Sequence, residues 1–187
     1  QAIVYAPFPV LEIKNLYNSG MKIIKISKRI KGFIMLGDSG GGSTSAVRIM
    51  ADTINKIKQT KPFYTLVQKE SVLASAAYGI AAPSTKIYAE DGMSIVGSLG
   101  TMLNISAKKD NSTDADGTKN IVIYASKSTM KNKPIREAIN NDNYELVLSE
   151  IIDPINENFL SKIITDRPQL SGTTYDDGHT VFSKDAV

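Results

Sequence analysis

The sequence predicts one α/β domain built on a parallel sheet. Residues 32–37 form a short apolar run that ends at a glycine, which is typical of a buried strand. Apolar residues then recur at helical spacing, namely Val47, Met50, Ile54 and Ile57, and residues 63–67 are a second strand candidate. A strand, a glycine turn, an amphipathic helix and another strand usually place the two strands in parallel. The 187 residues are enough for one hydrophobic core.

The middle of the chain predicts a closely packed helix and a further strand. Residues 73–82 are small and apolar throughout, which favours a helix that other elements approach closely, and Pro83 ends it. Residues 86–89 read as a short strand, and residues 97–100 (GSLG) as a turn.

The C-terminal half predicts a loop, a strand and a long helix. Residues 102–107 are expected to be extended, residues 108–118 to form a polar loop, and residues 121–125 to form a strand. Apolar residues between 144 and 166 mark one face of a long helix that ends near Arg167-Pro168. No linker indicates a second domain, so we expect residues 1–187 to form a single domain.

Composition excludes several classes of function. Lys and Arg number 22 against 19 Asp and Glu, a small excess with no aromatic-interleaved basic patch, so we expect no nucleic acid partner. There is no cysteine, and His179 is the only histidine, which excludes disulfides, a thiol nucleophile and a multi-histidine metal site. No apolar run approaches the roughly 20 residues of a membrane span, and the start QAIVYAPFPV does not read as a signal peptide.

The stretch GDSGGG at residues 37–42 resembles the loop around the nucleophile of chymotrypsin-like proteases. That mechanism needs a histidine before the serine, and none precedes Ser39. A phosphate loop would require lysine where Ser43 stands, and a dinucleotide fingerprint would require a third glycine where Ser45 stands. Two interpretations stay open from the loop alone: a turn that offers backbone amides to an oxyanion, or a plain strand-to-helix turn.

Taken in order, the motifs resemble the signal peptide peptidase A family of serine–lysine peptidases, which includes phage capsid-maturation proteases. The nucleophile block of that family reads Ala-Ser-Gly-Gly-Tyr-x-Ile-Ala, and its glycine turn reads Asp-Ser-Pro-Gly-Gly-Ser, with Gly40 here in place of the proline. The resemblance covers roughly residues 30 to 187, whereas residues 1–30 match poorly. The blocks that carry it are residues 32–43 (GFIMLGDSGGGS), Lys61-Pro62, residues 74–81 (ASAAYGIA), residues 97–100 (GSLG) and residues 126–136 (SKSTMKNKPIR).

The resemblance implies a fold, an assembly and a set of site residues. It implies the Clp protease/crotonase-type spiral of strand–helix units and a homo-oligomeric ring, with no cofactor and no metal. Ser75 would be the nucleophile, and Ser98 would orient the catalytic lysine. The oxyanion would lie against backbone N–H groups of Gly42 and Ala76, with Gly41 contributing there or to substrate pairing. Gly40 and Gly41 would bind the backbone of an extended substrate.

A lysine is the base that remains once histidine is set aside. Serine needs a base to remove its proton, and the resemblance places His179 in a C-terminal turn without a catalytic role. Free lysine has a pKa near 10.4, so a working base needs a value of about 7–8, which burial can supply. Lys131, shortly before Pro134-x-Arg136, is the expected base, and Lys127 and Lys133 remain candidates.

These inferences predict a serine endopeptidase that cleaves extended polypeptides through an acyl-enzyme. The expected substrates are remnant signal peptides or phage scaffold and capsid proteins. A cytoplasmic, phage-like role is favoured, and the alternative is a member anchored to a membrane through a segment outside this sequence. The alternative functions are a crotonase-like acyl-CoA enzyme, which would not need Ser75, and a catalytically inactive binding member of the same fold.

Overall fold

The computed structural model of the chain describes residues 4–5 and 30–186, and the prediction for residues 1–30 therefore falls almost entirely outside the described residues. Seven strands are described: β1 (Val4–Tyr5), β2 (Phe33–Gly37), β3 (Phe63–Val67), β4 (Val72–Ala74), β5 (Lys86–Ala89), β6 (Ile95–Gly97) and β7 (Thr180–Phe182). Five α-helices are described: α1 (Thr44–Lys58), α2 (Ala76–Ala81), α3 (Lys133–Asn141), α4 (Glu145–Val147) and α5 (Asp153–Asp166). A π-helical turn, Leu148–Ile152, joins α4 to α5, and 3-10 turns occupy Pro168–Leu170, Thr174–Asp176 and Ser183–Asp185.

The strands form two sheets, which confirms the predicted α/β class with parallel strands. The first sheet has the order β1-β2-β3-β5 and is parallel throughout. The second has the order β4-β6-β7, in which β4 and β6 are parallel and β6 and β7 are antiparallel. Parallel neighbours require crossover connections, and α1 supplies the one between β2 and β3.

One segment links the two sheets. Beyond the end of β2, Ser39 forms a parallel bridge with Leu73 in β4. The Ser39 amide donates to the Val72 carbonyl at 2.6 Å, and the Ala74 amide donates to the Ser39 carbonyl at 3.1 Å. The glycine turn that follows β2 is therefore fixed beside the end of β4.

Helix α2 lies between two buried apolar clusters. Ala76 and Ile80 belong to the larger cluster, and Ala77 and Ala81 belong to the smaller one with Leu73. Close approach requires a glycine in this helix: a Cβ on Gly79 would lie 2.8 Å from Val47 Cγ1 and 2.9 Å from Phe159 Cε2. The predicted close packing of this segment is confirmed.

The described chain divides into two compact units, residues 1–101 with 158–187, and residues 102–157. The second unit contains α3 and a loop tied to it. The Asp110 amide donates to Asn140 Oδ1 at 2.8 Å, and Asn140 Nδ2 donates to the Asp110 carboxylate at 3.1 Å. The guanidinium of Arg136 lies 4.2 Å from the ring centroid of Tyr124.

Several predicted elements differ from the structure. The helix predicted over 73–82 begins only at Ala76, because residues up to Ala74 pair with β6 as a strand. The strand predicted over 121–125 is wrong: its residues are in no described strand, and Ile123 is 88% exposed. The helix predicted over 144–166 is confirmed in extent, although a π-helical turn interrupts it. Helix α3 and strands β6 and β7 were not predicted.

Candidate active site

Ser75 occupies the sharp turn between β4 and α2. Its backbone has φ 51° and ψ −127°, a combination that residues other than glycine rarely adopt. Such a conformation costs on the order of 1–3 kcal/mol and persists only where the surrounding structure holds it. Here the Ser75 amide donates to the Gly97 carbonyl at 2.8 Å, and the Ser75 carbonyl accepts from the Gly79 amide at 3.0 Å. Strained strand-to-helix turns of this kind present nucleophilic serines in hydrolases.

The glycine turn lies directly against this serine. A Cβ on Gly41 would lie 2.7 Å from Ser75 Cβ and 3.1 Å from Ser75 Oγ. Gly41 also has φ 120°, in the region that favours glycine. Only glycine therefore satisfies both the conformation and the space at this position.

Ser39 supports the turn from within. The Gly41 amide donates to Ser39 Oγ at 3.3 Å, a long hydrogen bond. This contact gives Ser39 a structural role and engages one of the three amides expected to bind an oxyanion. The amides of Gly42 and Ala76 have no hydrogen-bond partner among residues 30–186. Gly40 and Gly42 are exposed, and Gly41 is half-buried.

The Gly97-Ser98 turn lies on the other side of Ser75. Besides the Gly97 carbonyl that holds the Ser75 amide, the Ser98 amide donates to the His179 carbonyl at 2.6 Å. Ser98 has φ 51°, so the chain turns sharply out of β6 at this point. The structure thus brings together three of the motifs that the sequence singled out: the glycine turn, Ser75 and the Gly97-Ser98 turn.

A small cavity lies beside these elements. Its volume is about 30 Å³, room for little more than a water molecule or a methyl group. Burial raises the pKa of the Tyr78 phenol, and the positive charge of Arg167 only partly opposes this. Burial lowers the pKa of Arg167, whose guanidinium donates to the Ser84 carbonyl at 2.7 Å. The cavity is lined by Tyr78, Val96, Gly97, Leu99, Leu170, Tyr175, Val181 and Ala186.

An imidazole–carboxylate pair precedes β7. His179 Nδ1 lies 2.6 Å from Asp177 Oδ1, and the His179 amide donates to the same oxygen at 3.1 Å. These two hydrogen bonds lower the pKa of the Asp177 carboxyl. The His179 side chain is 76% exposed.

The lysine candidates all belong to the second unit. Lys127 and Lys131 have exposed side chains, and Lys133 is half-buried at the start of α3. The Lys131 amide donates to the Ser128 carbonyl at 3.1 Å, which closes a turn before α3. The apolar burial expected for the base is therefore not found around Lys127 or Lys131 in the single chain.

Sequence patterns alone assign no role to the Asp177–His179 pair. Asp-Gly-His is a common turn composition, and no local pattern indicates that a strand follows it. A signal was present nonetheless, because this is the only histidine of the chain and an aspartate lies two residues before it.

No family model matches the chain, and none of the curated proteins compared with it matches significantly. Among solved structures, methylmalonyl-CoA decarboxylase complexed with 2S-carboxypropyl-CoA is 14% identical, over 93% of this chain and 75% of that chain, with a TM-score of 0.38. ThnE from S. clavuligerus is 9% identical, over 94% of this chain and 83% of that chain, also with a TM-score of 0.38. A second structure of methylmalonyl-CoA decarboxylase is 15% identical, over 90% of this chain and 73% of that chain, with a TM-score of 0.34. Likenesses at this level carry no argument about the activity of the chain.

Proposed function

We propose that the chain is a serine endopeptidase with Ser75 as its nucleophile. The single observation that carries the proposal is the conformation of Ser75, held at a positive φ between a strand and a helix with Gly41 packed on its side chain. A serine in an ordinary helix start needs neither the backbone strain nor the glycine contact. Strain of this kind is a reason to look for chemistry at the residue that bears it.

The chemistry follows from the groups around Ser75. Its Oγ attacks the carbonyl carbon of a peptide bond while a base takes its proton. The carbonyl oxygen becomes an oxyanion, which the amides of Gly42 and Ala76 would bind. The proton then passes to the departing amine nitrogen as the C–N bond breaks, which leaves an acyl group on Ser75.

Lys131 is the proposed base, with Lys127 and Lys133 as the alternatives. The three lysines belong to a different compact unit from Ser75. Their assignment therefore rests on the sequence resemblance and not on a distance to Ser75. A neutral amine requires a dry environment, so a bound polypeptide or a second subunit would have to cover an exposed lysine before it can act.

The proposed substrate is an extended polypeptide that pairs its backbone with Gly40 and Gly41. Both residues lie in an irregular stretch after β2, and Gly40 has no atom within 4 Å of the place where a Cβ would stand. A ring of identical subunits is part of the proposal, as is action on signal-peptide remnants or phage structural proteins. Among residues 30–186, no helix is long and apolar enough to cross a membrane.

A fluorophosphonate probe tests the nucleophile. We expect the full-length protein to be labelled, labelling to be abolished in Ser75→Ala, and labelling to be retained in Ser39→Ala, since Ser39 only supports the turn. Mass spectrometry of the labelled peptide locates the probe. Unchanged labelling of Ser75→Ala would defeat the proposal, and would favour an acyl-CoA enzyme or an inactive binding protein.

The base is tested by replacing the three lysines one at a time. We expect Lys131→Ala to reduce the rate of peptide cleavage by about 10²–10⁴-fold, the usual contribution of a general base. Circular dichroism should show the variant to be folded, because the side chain is exposed. Near-normal cleavage by Lys131→Ala together with a loss in Lys127→Ala or Lys133→Ala would move the role to that lysine.

A further inference from the structure

The second sheet places three polar residues in one row. The register of the strands aligns Ala74 of β4, Gly97 of β6 and Thr180 of β7. Just beyond these three residues, at the same end of the sheet, lie Ser75 and Ser98, which follow β4 and β6, and His179, which precedes β7. The backbone hydrogen bonds between Ser75 and Gly97, and between Ser98 and His179, hold that row together.

His179 is oriented for proton transfer. An ionised Asp177 can only accept a hydrogen bond, so it holds the imidazole with a proton on Nδ1. The other ring nitrogen, Nε2, then carries a free lone pair and can act as a base. Nε2 has no hydrogen-bond partner among residues 30–186, and the ring is open to water.

Strand β6 separates Ser75 from His179 in the second sheet. Ser75 and His179 are two strand positions apart, which corresponds to roughly 10 Å between their backbones. The two side chains make no hydrogen bond to each other in the described chain. The backbones of the two residues thus lie at the same end of the second sheet, on the two strands that flank β6.

We propose that His179, oriented by Asp177, activates the water that hydrolyses the acyl-Ser75 intermediate. The inference rests on the proposed function and adds a catalytic residue for its second half. The water oxygen bonds to the acyl carbon while its proton passes to Nε2. The bond from the acyl carbon to Ser75 Oγ then breaks, and Oγ takes up the proton that Nε2 returns through a further water molecule. The products are a free carboxylic acid and the original serine, with no other reactant required.

The test separates acylation from deacylation in the full-length protein. Acylation is measured as the rate of fluorophosphonate labelling, and deacylation as the steady-state release of p-nitrophenol from p-nitrophenyl acetate after its initial burst. We expect His179→Gln to keep the labelling rate within about twofold and to slow the steady state by roughly 10²-fold or more. The acetylated Ser75 peptide should then accumulate and be detected by mass spectrometry.

The neighbouring carboxylates provide a matched pair. Asp177→Asn should slow deacylation in the same direction, because the amide no longer fixes the imidazole tautomer. Asp176→Asn removes the same charge one residue away, at an exposed position, and should leave both rates unchanged. Equal effects of the two variants would overturn the inference.

A chemical probe is also available because the chain has a single histidine. Diethyl pyrocarbonate should block the steady-state release of p-nitrophenol and leave the rate of fluorophosphonate labelling unchanged. Hydroxylamine, which reverses the modification of histidine, should restore the release. The inference is overturned if His179→Gln deacylates normally, if it slows labelling as much as turnover, or if the wild-type protein acylates without deacylating. If the wild-type protein is not labelled at Ser75, the proposed function fails first.

Discussion

At the scale of single residues, the contact between Gly41 and Ser75 leaves no room for a side chain on Gly41. Gly41 combines a φ of 120° with a position where an added Cβ would be 2.7 Å from Ser75 Cβ. Real Cβ atoms do not approach that closely, so the turn or the serine would have to shift. Misplacement of a nucleophile by about 1 Å costs on the order of 10²-fold in rate.

We therefore expect Gly41→Ala to lose at least about 10²-fold in fluorophosphonate labelling while the protein remains folded by circular dichroism. Gly100→Ala is the control, because a Cβ there would lie at an ordinary 3.7 Å from Gly178 Cα. If both variants label at the wild-type rate, the glycine turn does not position Ser75.

At the scale of elements, the packing of α2 on α1 and α5 depends on Gly79. An added methyl would press on Val47 and Phe159, both of them buried, at distances below 3 Å. Overpacking of a core typically costs about 1–3 kcal/mol, and alanine returns up to about 1 kcal/mol through its better helix propensity.

Urea denaturation should accordingly show Gly79→Ala to be less stable by roughly 1–2 kcal/mol, with little change in the slope of the transition. Gly100→Ala serves as a comparison, since its Cβ would lie at an ordinary 3.7 Å from Gly178 Cα. An equally stable Gly79→Ala would mean that the helices can separate at no cost.

Elements with a local pattern could be predicted from the sequence. The apolar residues Val47, Ile54 and Ile57 recur at helical spacing in α1. Lys61-Pro62 then marks the end of the helix before β3. Strands β6 and β7 are three residues each, and their pairing joins residues 95–97 to residues 180–182. These segments are too far apart in the sequence for a local pattern to predict that they pair. The segment 121–125 was wrongly predicted as a strand. Its β-branched residues favour a strand, but a strand also needs a neighbouring strand to pair with.

The candidate site was also predictable only where its residues belong to local sequence patterns. The order of the motifs along the sequence indicated Ser75 and the glycine turn, because these residues lie next to recognisable helices and strands. The role of Ser39 as a support, and the approach of His179 through the Ser98 amide, depend on backbone hydrogen bonds between distant parts of the chain.

At the scale of the whole molecule, acid sensitivity follows from carboxyl groups with lowered pKa values. Burial of Asp91 favours its neutral form, but hydrogen bonds from the Ser94 hydroxyl and from nearby amides outweigh this, so its pKa is lowered. The amides that reach it belong to Glu70, which precedes β4, and to Met93 and Ser94, which precede β6. Asp177 is lowered by its bonds to His179.

A carboxyl whose pKa is lower in the folded state than in the unfolded state stabilises the fold above the unfolded pKa, near 3.9. That contribution is lost as the pH falls through the folded value. We expect the urea midpoint to decrease as the pH falls below about 4, and Asp91→Asn to show a lower midpoint at neutral pH with a flatter dependence in acid. A variant whose profile matches the wild-type profile would show that Asp91 does not contribute.

The strand that completes the sheet around Ser75 comes from residues 180–182. During synthesis on a ribosome, the serine and its glycine turn emerge long before that strand does. Until it arrives, β6 has an open edge and the Ser98 amide lacks the carbonyl it binds. The order of translation therefore leaves the surroundings of Ser75 incomplete until residues 180–182 have emerged.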